Sequence, residues 1–148
     1  MDAEPILILL VEDNLDHAEL IKRALEDHRI ANRVQHITDG QTAIDYLTGS
    51  GVFSTPASCP RPHMVLLDLR IPRADGIEVL KVIKDSERLK SIPVVILTTS
   101  DAEKDKLRAY NHFANSYLVK PVGMDAFTQL MEDVVHYWLD WNCTPHFI

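Results

Sequence analysis

Three carboxylates, a hydroxyl and an ammonium group stand at the ends of apolar runs in the sequence. They belong to Glu12, Asp13, Asp68, Thr98 and Lys120. If these runs are parallel strands, their carboxyl ends meet at one edge of a sheet, where open α/β proteins bind their ligands. We therefore expect the five side chains to share one crevice.

Clustered carboxylates predict a bound cation. Two like charges about 4 Å apart repel by about 4 kcal/mol at an effective dielectric of about 20. Carboxylate oxygens without Cys or His favour Mg²⁺, or another hard divalent cation such as Mn²⁺ or Ca²⁺. Mg²⁺ sites take further oxygens from phosphates, and a carboxylate can attack phosphorus to form an acyl phosphate. The pattern therefore predicts phosphoryl transfer, with the cation and Lys120 stabilising the transferred charge.

Most of these residues, taken singly, also have a purely structural explanation. Glu12 and Asp13 could be first-turn acids of a helix, Thr98 an ordinary strand residue, and Lys120 a loop residue before proline. Asp68 differs, because it directly follows an apolar run and buried acids are nearly always paired or bound to metal. The conjunction of four strand ends, rather than any one residue, supports the chemical interpretation.

Apolar runs and helical patterns alternate five times along the chain. The runs predict strands at 6–11, 34–37, 64–68, 92–97 and 116–119. Helical spacing predicts helices at 15–28, 41–47, 77–84, 102–112 and 124–141. Residues 49–63, with three prolines, predict a long loop. This alternation indicates βαβ units and a parallel sheet with helices on both faces.

Length and composition limit the classes of protein to which the chain can belong. With 148 residues, 46% of them hydrophobic, the chain is expected to form a single domain over 1–148, with a core at about 5–141 and a tail at 142–148. A net charge of −7 argues against binding to nucleic acid or anionic membranes. The first apolar run is too short for a signal peptide or membrane span, and Cys59 and Cys143 fit free thiols. We expect a cytoplasmic protein.

The sequence resembles the response-regulator receiver family. The matching segments are LVEDN at 10–14, LLDLRIP at 66–72, DG at 75–76, LTTS at 97–100, Tyr117 and KP at 120–121. They occur in the family's order and span almost the whole chain. The resemblance implies a flavodoxin-like, doubly wound α/β fold with five helices and five parallel strands in the order 2-1-3-4-5.

The same resemblance implies roles for the residues of the crevice. Asp68 would be the phosphoacceptor, and Asp13, Asp68 and the backbone carbonyl of Arg70 would bind the metal, with Glu12 acting mostly through water. A protein of this kind catalyses only its own phosphorylation and dephosphorylation, in a phosphorelay that begins at a histidine kinase. It is therefore expected to be a signalling protein and not an enzyme with other substrates.

The resemblance also implies a switch. Thr98 and Lys120 would contact the phosphoryl oxygens, and Tyr117 would be the aromatic residue that moves inward with Thr98. Two positions depart from the commonest family pattern, Arg70 and Ser100, which lie two residues after Asp68 and Thr98. Both positions flank the route of an attacking water, which leaves the lifetime of the phosphorylated state open.

A narrower resemblance is to the small stand-alone receivers that serve phytochrome-type histidine kinases. It is based on the loop before residues 60–62, the Thr-Thr-Ser run at 98–100 and the aromatic segment 137–139. Such a receiver signals by protein contact, or shuttles its phosphoryl group to a histidine phosphotransfer protein. The alternatives are a pseudo-receiver used for binding and a haloacid-dehalogenase-like phosphatase, which needs an acid where this chain has Arg70.

The C-terminal segment is rich in large apolar side chains. Val134, Trp138 and Trp141 are expected to share one helical stripe that covers the sheet, leaving Tyr137 and Val135 outside it. Exposed aromatic residues are typical of contact sites, and a two-fold axis would bring two such patches together. We therefore predict a homodimer, with contacts to be sought among Tyr137, Trp138, Trp141 and Phe147. The alternative is that the tail folds back on its own domain.

Overall fold

A computed structural model describes residues 5–143 of the chain. The strands are β1 (Ile6–Val11), β2 (Asn32–Ile37), β3 (Met64–Leu67), β4 (Val94–Thr98) and β5 (Ser116–Val119). The helices are α1 (Leu15–Glu26), α2 (Gly40–Thr48), α3 (Gly76–Lys84), α4 (Glu103–Asn111) and α5 (Met124–Val135). Every predicted strand and helix is present, and the boundaries differ from the predicted ones by a few residues at most, except at the end of α5.

The five strands form one parallel sheet in the order β2-β1-β3-β4-β5, which confirms the predicted fold. Alternate side chains of β1 enter two separate apolar clusters, Leu9 and Val11 on one face and Ile8 and Leu10 on the other. Helices α2, α3 and α4 contribute to the first cluster, and α1 and α5 contribute to the second. Burial on both faces explains why the central strands are continuous apolar runs.

Asn14 starts α1 immediately after the acidic pair at the end of β1. Its side-chain oxygen accepts a hydrogen bond from the backbone N–H of His17 at 3.1 Å. The same type of cap begins α2 at Asp39 and α3 at Asp75. Each cap satisfies an N–H group that has no partner within the helix. The helices therefore begin at fixed points just beyond the carboxyl edge of the sheet.

The predicted loop at 49–63 contains two short 3₁₀ turns, Gly51–Phe53 and Pro56–Ser58. The buried ring of Tyr46 anchors this segment, since its hydroxyl donates to the carbonyl oxygen of Pro60 at 2.7 Å. Cys59 and Cys143 are both free thiols, as expected. Among residues 5–143, no helix is both long enough and apolar enough to cross a membrane.

The C-terminal segment corrects one prediction. α5 ends at Val135, and a π-helical stretch follows at His136–Trp141. The wider π turn moves later side chains off the α-helical stripe. As a result Trp141 is 70% exposed instead of covering the sheet. Val135, expected outside the stripe, is buried as the last residue of α5, before the π turn begins. Trp138 packs against the core and Tyr137 is exposed, as predicted.

Asp140 attaches this π-helical stretch to the turn that follows α1. Its Oδ2 atom lies 3.1 Å from Nε2 of His28, which follows α1, and 2.7 Å from Nδ1 of His136. Arg29 adds an ion pair to the other carboxylate oxygen at 3.6 Å. Polar pairing as well as apolar packing thus fixes the segment. Phe147, the remaining dimer candidate, lies outside the described residues.

Gly76 allows α3 to start directly against the backbone of Asp68. A Cβ atom at position 76 would lie 2.4 Å from the carbonyl oxygen of Asp68 and 2.6 Å from Cα of Leu69. Both atoms belong to the backbone and cannot rotate away. The first residue of α3 therefore has to be glycine for the loop after β3 to keep its course.

We predict that Gly76→Ala lowers the free energy of unfolding by about 3 kcal/mol, the upper end for overpacking. The matched control is Gly51→Ala, which has open space around the added methyl but a φ of 60°. That control should lose only about 1 kcal/mol, from backbone strain. Urea denaturation measures both losses, and an equal or smaller loss for Gly76→Ala contradicts the packing explanation.

Candidate functional site

Backbone hydrogen bonds continue the sheet beyond its strand ends and fix the site residues. The N–H of Glu12 donates to Ile37 at 3.0 Å, that of Asp68 to Val11 at 3.0 Å, and that of Lys120 to Thr98 at 2.7 Å. Glu12, Asp68, Thr98 and Lys120 are buried, and Asp13 is exposed. The structure thus places all five predicted residues at one edge of the sheet.

The ammonium group of Lys120 lies at the centre of the site, with a side chain only 1% exposed. It donates hydrogen bonds to Glu12 Oε1, to Asp68 Oδ2 at 2.9 Å and to Nδ1 of His17 at 2.9 Å. An ammonium group has three hydrogens, so each of them has a partner. Lys120 therefore holds β1, β3 and α1 together at the site.

The two buried carboxyl groups have different acidities. Burial raises the pKa of Glu12 to about 7, although the hydrogen bond from Lys120 opposes this. Burial also opposes ionisation of Asp68, but the charge and hydrogen bond of Lys120 and the N–H of Arg70, at 3.1 Å from Oδ1, bring its pKa below the ordinary value. Asp68 is consequently ionised near neutral pH, the form that a nucleophile needs, whereas Glu12 is partly protonated there.

Carboxylate oxygens of Glu12, Asp13 and Asp68 lie within 4.8 Å of one another. Three hard oxygen donors at this spacing, one of them on an exposed residue, fit a divalent cation such as Mg²⁺ or Mn²⁺. The exposed position of Asp13 leaves room for the water ligands that Mg²⁺ keeps. The predicted metal cluster is therefore present in the fold.

A second polar network lies beside the first, and the sequence interpretation did not include its central residue, Asp105. Its Oδ2 accepts hydrogen bonds from Arg70 Nη2 and from the hydroxyl of Ser100, both at 2.6 Å. The Ser100 hydrogen bond, with a further contribution from Arg70, holds the pKa of Asp105 below its usual value. Tyr117 joins this network, since its hydroxyl donates to the carbonyl oxygen of Ser100 at 2.9 Å.

His17 is the other residue that the sequence interpretation missed. Its ring packs against Phe127, with centroids 5.1 Å apart, and its Nδ1 faces Lys120. Burial and the nearby charge of Lys120 lower the pKa of His17, which favours the unprotonated Nδ1 that accepts this bond. A histidine in the first turn of a helix carries no signal of such a role in the sequence.

The comparisons with known proteins agree with this geometry. The sequence profile of the response regulator receiver domain matches residues 8–132. The chain belongs to the response regulator receiver family. One relative is the probable methanogenesis regulatory protein FilR2 of Methanothrix harundinacea, 49% identical over 145 residues that cover 96% of this chain and 89% of FilR2. Another is the response regulator Rcp1 of Synechocystis, 36% identical over 95% of this chain and 94% of Rcp1.

Solved structures of such receivers superpose closely on this fold. The phosphorylated cyanobacterial phytochrome response regulator RcpA gives a TM-score of 0.90 at 35% identity, covering 97% of this chain and all of RcpA. The Mn²⁺-bound form of Rcp1 gives 0.91 at 35% identity, covering 96% of this chain and all of Rcp1. The chain is thus a receiver of phosphorelay signalling with a divalent-cation site, and the phosphatase alternative is not favoured.

We predict that Glu12 and Asp13, the two neighbouring acids of the metal cluster, contribute unequally to the affinity for Mg²⁺. Asp13→Asn should weaken Mg²⁺ binding by more than about tenfold, because it removes the exposed carboxylate of the cluster. Glu12→Gln should weaken it less, because Glu12 is engaged with Lys120 and its pKa of about 7 already leaves part of its population neutral near pH 7. Calorimetric titration with Mg²⁺ measures both affinities.

The control is Asp16→Asn, which removes an exposed acid in the first turn of α1 that is not in the cluster. Its Mg²⁺ affinity should stay close to that of the wild type. If the Glu12 and Asp13 variants lose the same affinity, their assignment to different kinds of contact is wrong.

Proposed function

We propose that Asp68 accepts a phosphoryl group from the phosphohistidine of a sensor histidine kinase. The observation that carries this proposal is the buried carboxylate of Asp68, hydrogen-bonded to Lys120 and within 4.8 Å of two further acids. An oxygen of Asp68 forms a bond to phosphorus, and the bond from phosphorus to the histidine nitrogen breaks. Lys120 then neutralises charge on the phosphoryl oxygens, and Thr98, at the end of neighbouring β4, supplies a hydroxyl.

The proposed metal ligands are Asp13, Asp68 and the backbone carbonyl of Arg70, with Glu12 acting through water. Two observations support the different role of Glu12: it is buried, and its Oε1 accepts from Lys120. When bound, the divalent cation supplies positive charge for phosphoryl oxygens, as in other phosphoryl-transfer sites. Asp68→Asn keeps the shape of the side chain but removes the nucleophile.

The proposed kinase is of the phytochrome type. The phosphorylated RcpA structure is that of a phytochrome response regulator, and its superposition covers 97% of this chain. Rcp1 is similar in length and structure. We propose that residues 1–148 act as one receiver domain in the cytoplasm. Signalling then takes place by conformational change and protein contact, with Thr98 and Tyr117 as the switch residues.

A phosphotransfer assay tests the acceptor and the donor together. A purified phytochrome-type histidine kinase, autophosphorylated with labelled ATP, should lose its label to the wild-type chain and not to Asp68→Asn. A histidine kinase without a phytochrome module serves as the control donor and should transfer more slowly. Label on Asp68→Asn contradicts the site, and equal transfer from both kinases contradicts the phytochrome partner alone.

We also propose that the chain forms a homodimer through its C-terminal segment. Tyr137 is 52% exposed and Trp141 is 70% exposed, an unusual amount of aromatic surface on neighbouring turns. Trp138 packs on the core of its own domain and is a weaker candidate than its neighbours. A two-fold axis through this segment would cover both exposed rings.

Light scattering on the full chain tests this dimer. One chain has a mass of 16.8 kDa, and the wild type should approach twice that mass at tens of micromolar. Tyr137→Ser combined with Trp141→Ser should weaken association by at least about tenfold, since aromatic anchors dominate interface energies. Val52→Ser, which removes an 86% exposed apolar side chain elsewhere, is the control and should stay dimeric. A monomeric wild type contradicts the proposal.

A further inference from the structure

Asp105 connects the two loops that leave the carboxyl ends of β3 and β4. Its side chain is 5% exposed, although it lies on α4 between the exposed side chains of Glu103, Lys104 and Arg108. Both of its hydrogen bonds, from Arg70 and Ser100, are 2.6 Å long and end on the same oxygen. Short hydrogen bonds that involve ionised groups are among the stronger ones, so Asp105 links the two loops through strong bonds.

The two loops begin at the residues proposed for phosphoryl transfer. Arg70 lies two residues after Asp68, and its N–H donates to Asp68 Oδ1. Ser100 lies two residues after Thr98, and its N–H donates to the Thr98 hydroxyl oxygen at 3.4 Å. Since β3 and β4 are neighbours in the sheet, the Arg70–Asp105–Ser100 bridge spans the crevice beside the phosphoacceptor.

Loss of the phosphoryl group depends on access through this crevice. In hydrolysis, a water oxygen forms a bond to phosphorus and the bond from phosphorus to the Asp68 oxygen breaks. The electron pair of that bond stays on the Asp68 carboxylate, and the proton of the water passes to the released phosphate or to solvent. Because displacement at phosphorus is in line, the water approaches from the side facing away from Asp68. The loops that follow the neighbouring strands β3 and β4 border Asp68 at this edge of the sheet.

We propose that Asp105 is a positioning residue that holds Arg70 and Ser100 across this approach and thereby slows hydrolysis of phosphorylated Asp68. The inference rests on the proposed function, because only a phosphorylated Asp68 has a lifetime to control. Arg70 and Ser100, the two residues that depart from the family pattern, then act together because Asp105 of α4 holds both. A purely structural role for Asp105 predicts a less stable protein with an unchanged lifetime of the phosphorylated state.

The lifetime is measured on the full chain after phosphorylation with acetyl phosphate and Mg²⁺ and removal of the donor. Intact mass then follows the loss of the phosphoryl group with time. Asp105→Ala should shorten the half-life by about tenfold, the effect of losing one charged hydrogen bond from the barrier. Asp101→Ala removes an exposed acid that pairs only with Lys106 among the described contacts of its side chain, and should leave the half-life unchanged.

A second set of variants separates positioning from folding. Arg70→Met combined with Ser100→Ala breaks the bridge from the other side and should give the same shortening. Adding Asp105→Ala to that pair should change the half-life by less than about twofold, because the bridge is already lost. A half-life within about twofold of the wild type in either Asp105→Ala or the Arg70 and Ser100 double variant overturns the inference.

The outcomes also distinguish this inference from the proposed function. A wild-type chain that gains no phosphoryl group contradicts both. A wild-type chain that is phosphorylated and dephosphorylates no more slowly than the bridge variants contradicts the role of Asp105 and leaves Asp68 as the acceptor.

Discussion

The position of the Lys120 ammonium group between Asp68 and Glu12 is the interaction on which the site depends. Without a cation, the carboxylates that the sheet brings together would repel one another and would be costly to bury. Lys120 offsets this cost by donating to both acids and to His17. Removing one partner from such a buried group typically costs about 3–5 kcal/mol. The same charge keeps Asp68 ionised while burial raises the pKa of Glu12.

The parallel sheet makes this arrangement possible. Three adjacent strands, β1, β3 and β4, are buried on both faces, so their ends are held by packing as well as by hydrogen bonds. Gly76 brings α3 against the backbone of Asp68, and Asn14 starts α1 beside Asp13. The packed strand ends therefore fix the points at which the polar loops begin. Apolar packing beneath this edge of the sheet thus positions the residues of the site.

The sequence predicted those features that local pattern determines. Continuous apolar runs indicated the buried strands, and the residues at their ends, such as Asp68 and Lys120, indicated the site. The strand order came from the family resemblance. Asp105 could not be predicted, because it lies among charged residues of α4 and is paired with Arg70, from the distant loop after β3, as well as with nearby Ser100. The sequence did not predict the π turn after Val135, because helical periodicity does not indicate such a turn. In this segment Asp140 contacts His28 and His136.

Phosphorylation of Asp68 is expected to depend on a divalent cation. This dependence is measured by incubating the full chain with acetyl phosphate and Mg²⁺, followed by intact mass and peptide mapping. We predict that the wild type gains one phosphoryl group on the peptide that contains Asp68, and that neither Asp68→Asn nor the wild type with excess chelator gains any. A phosphoryl group that maps elsewhere, or that persists in Asp68→Asn, would contradict the account.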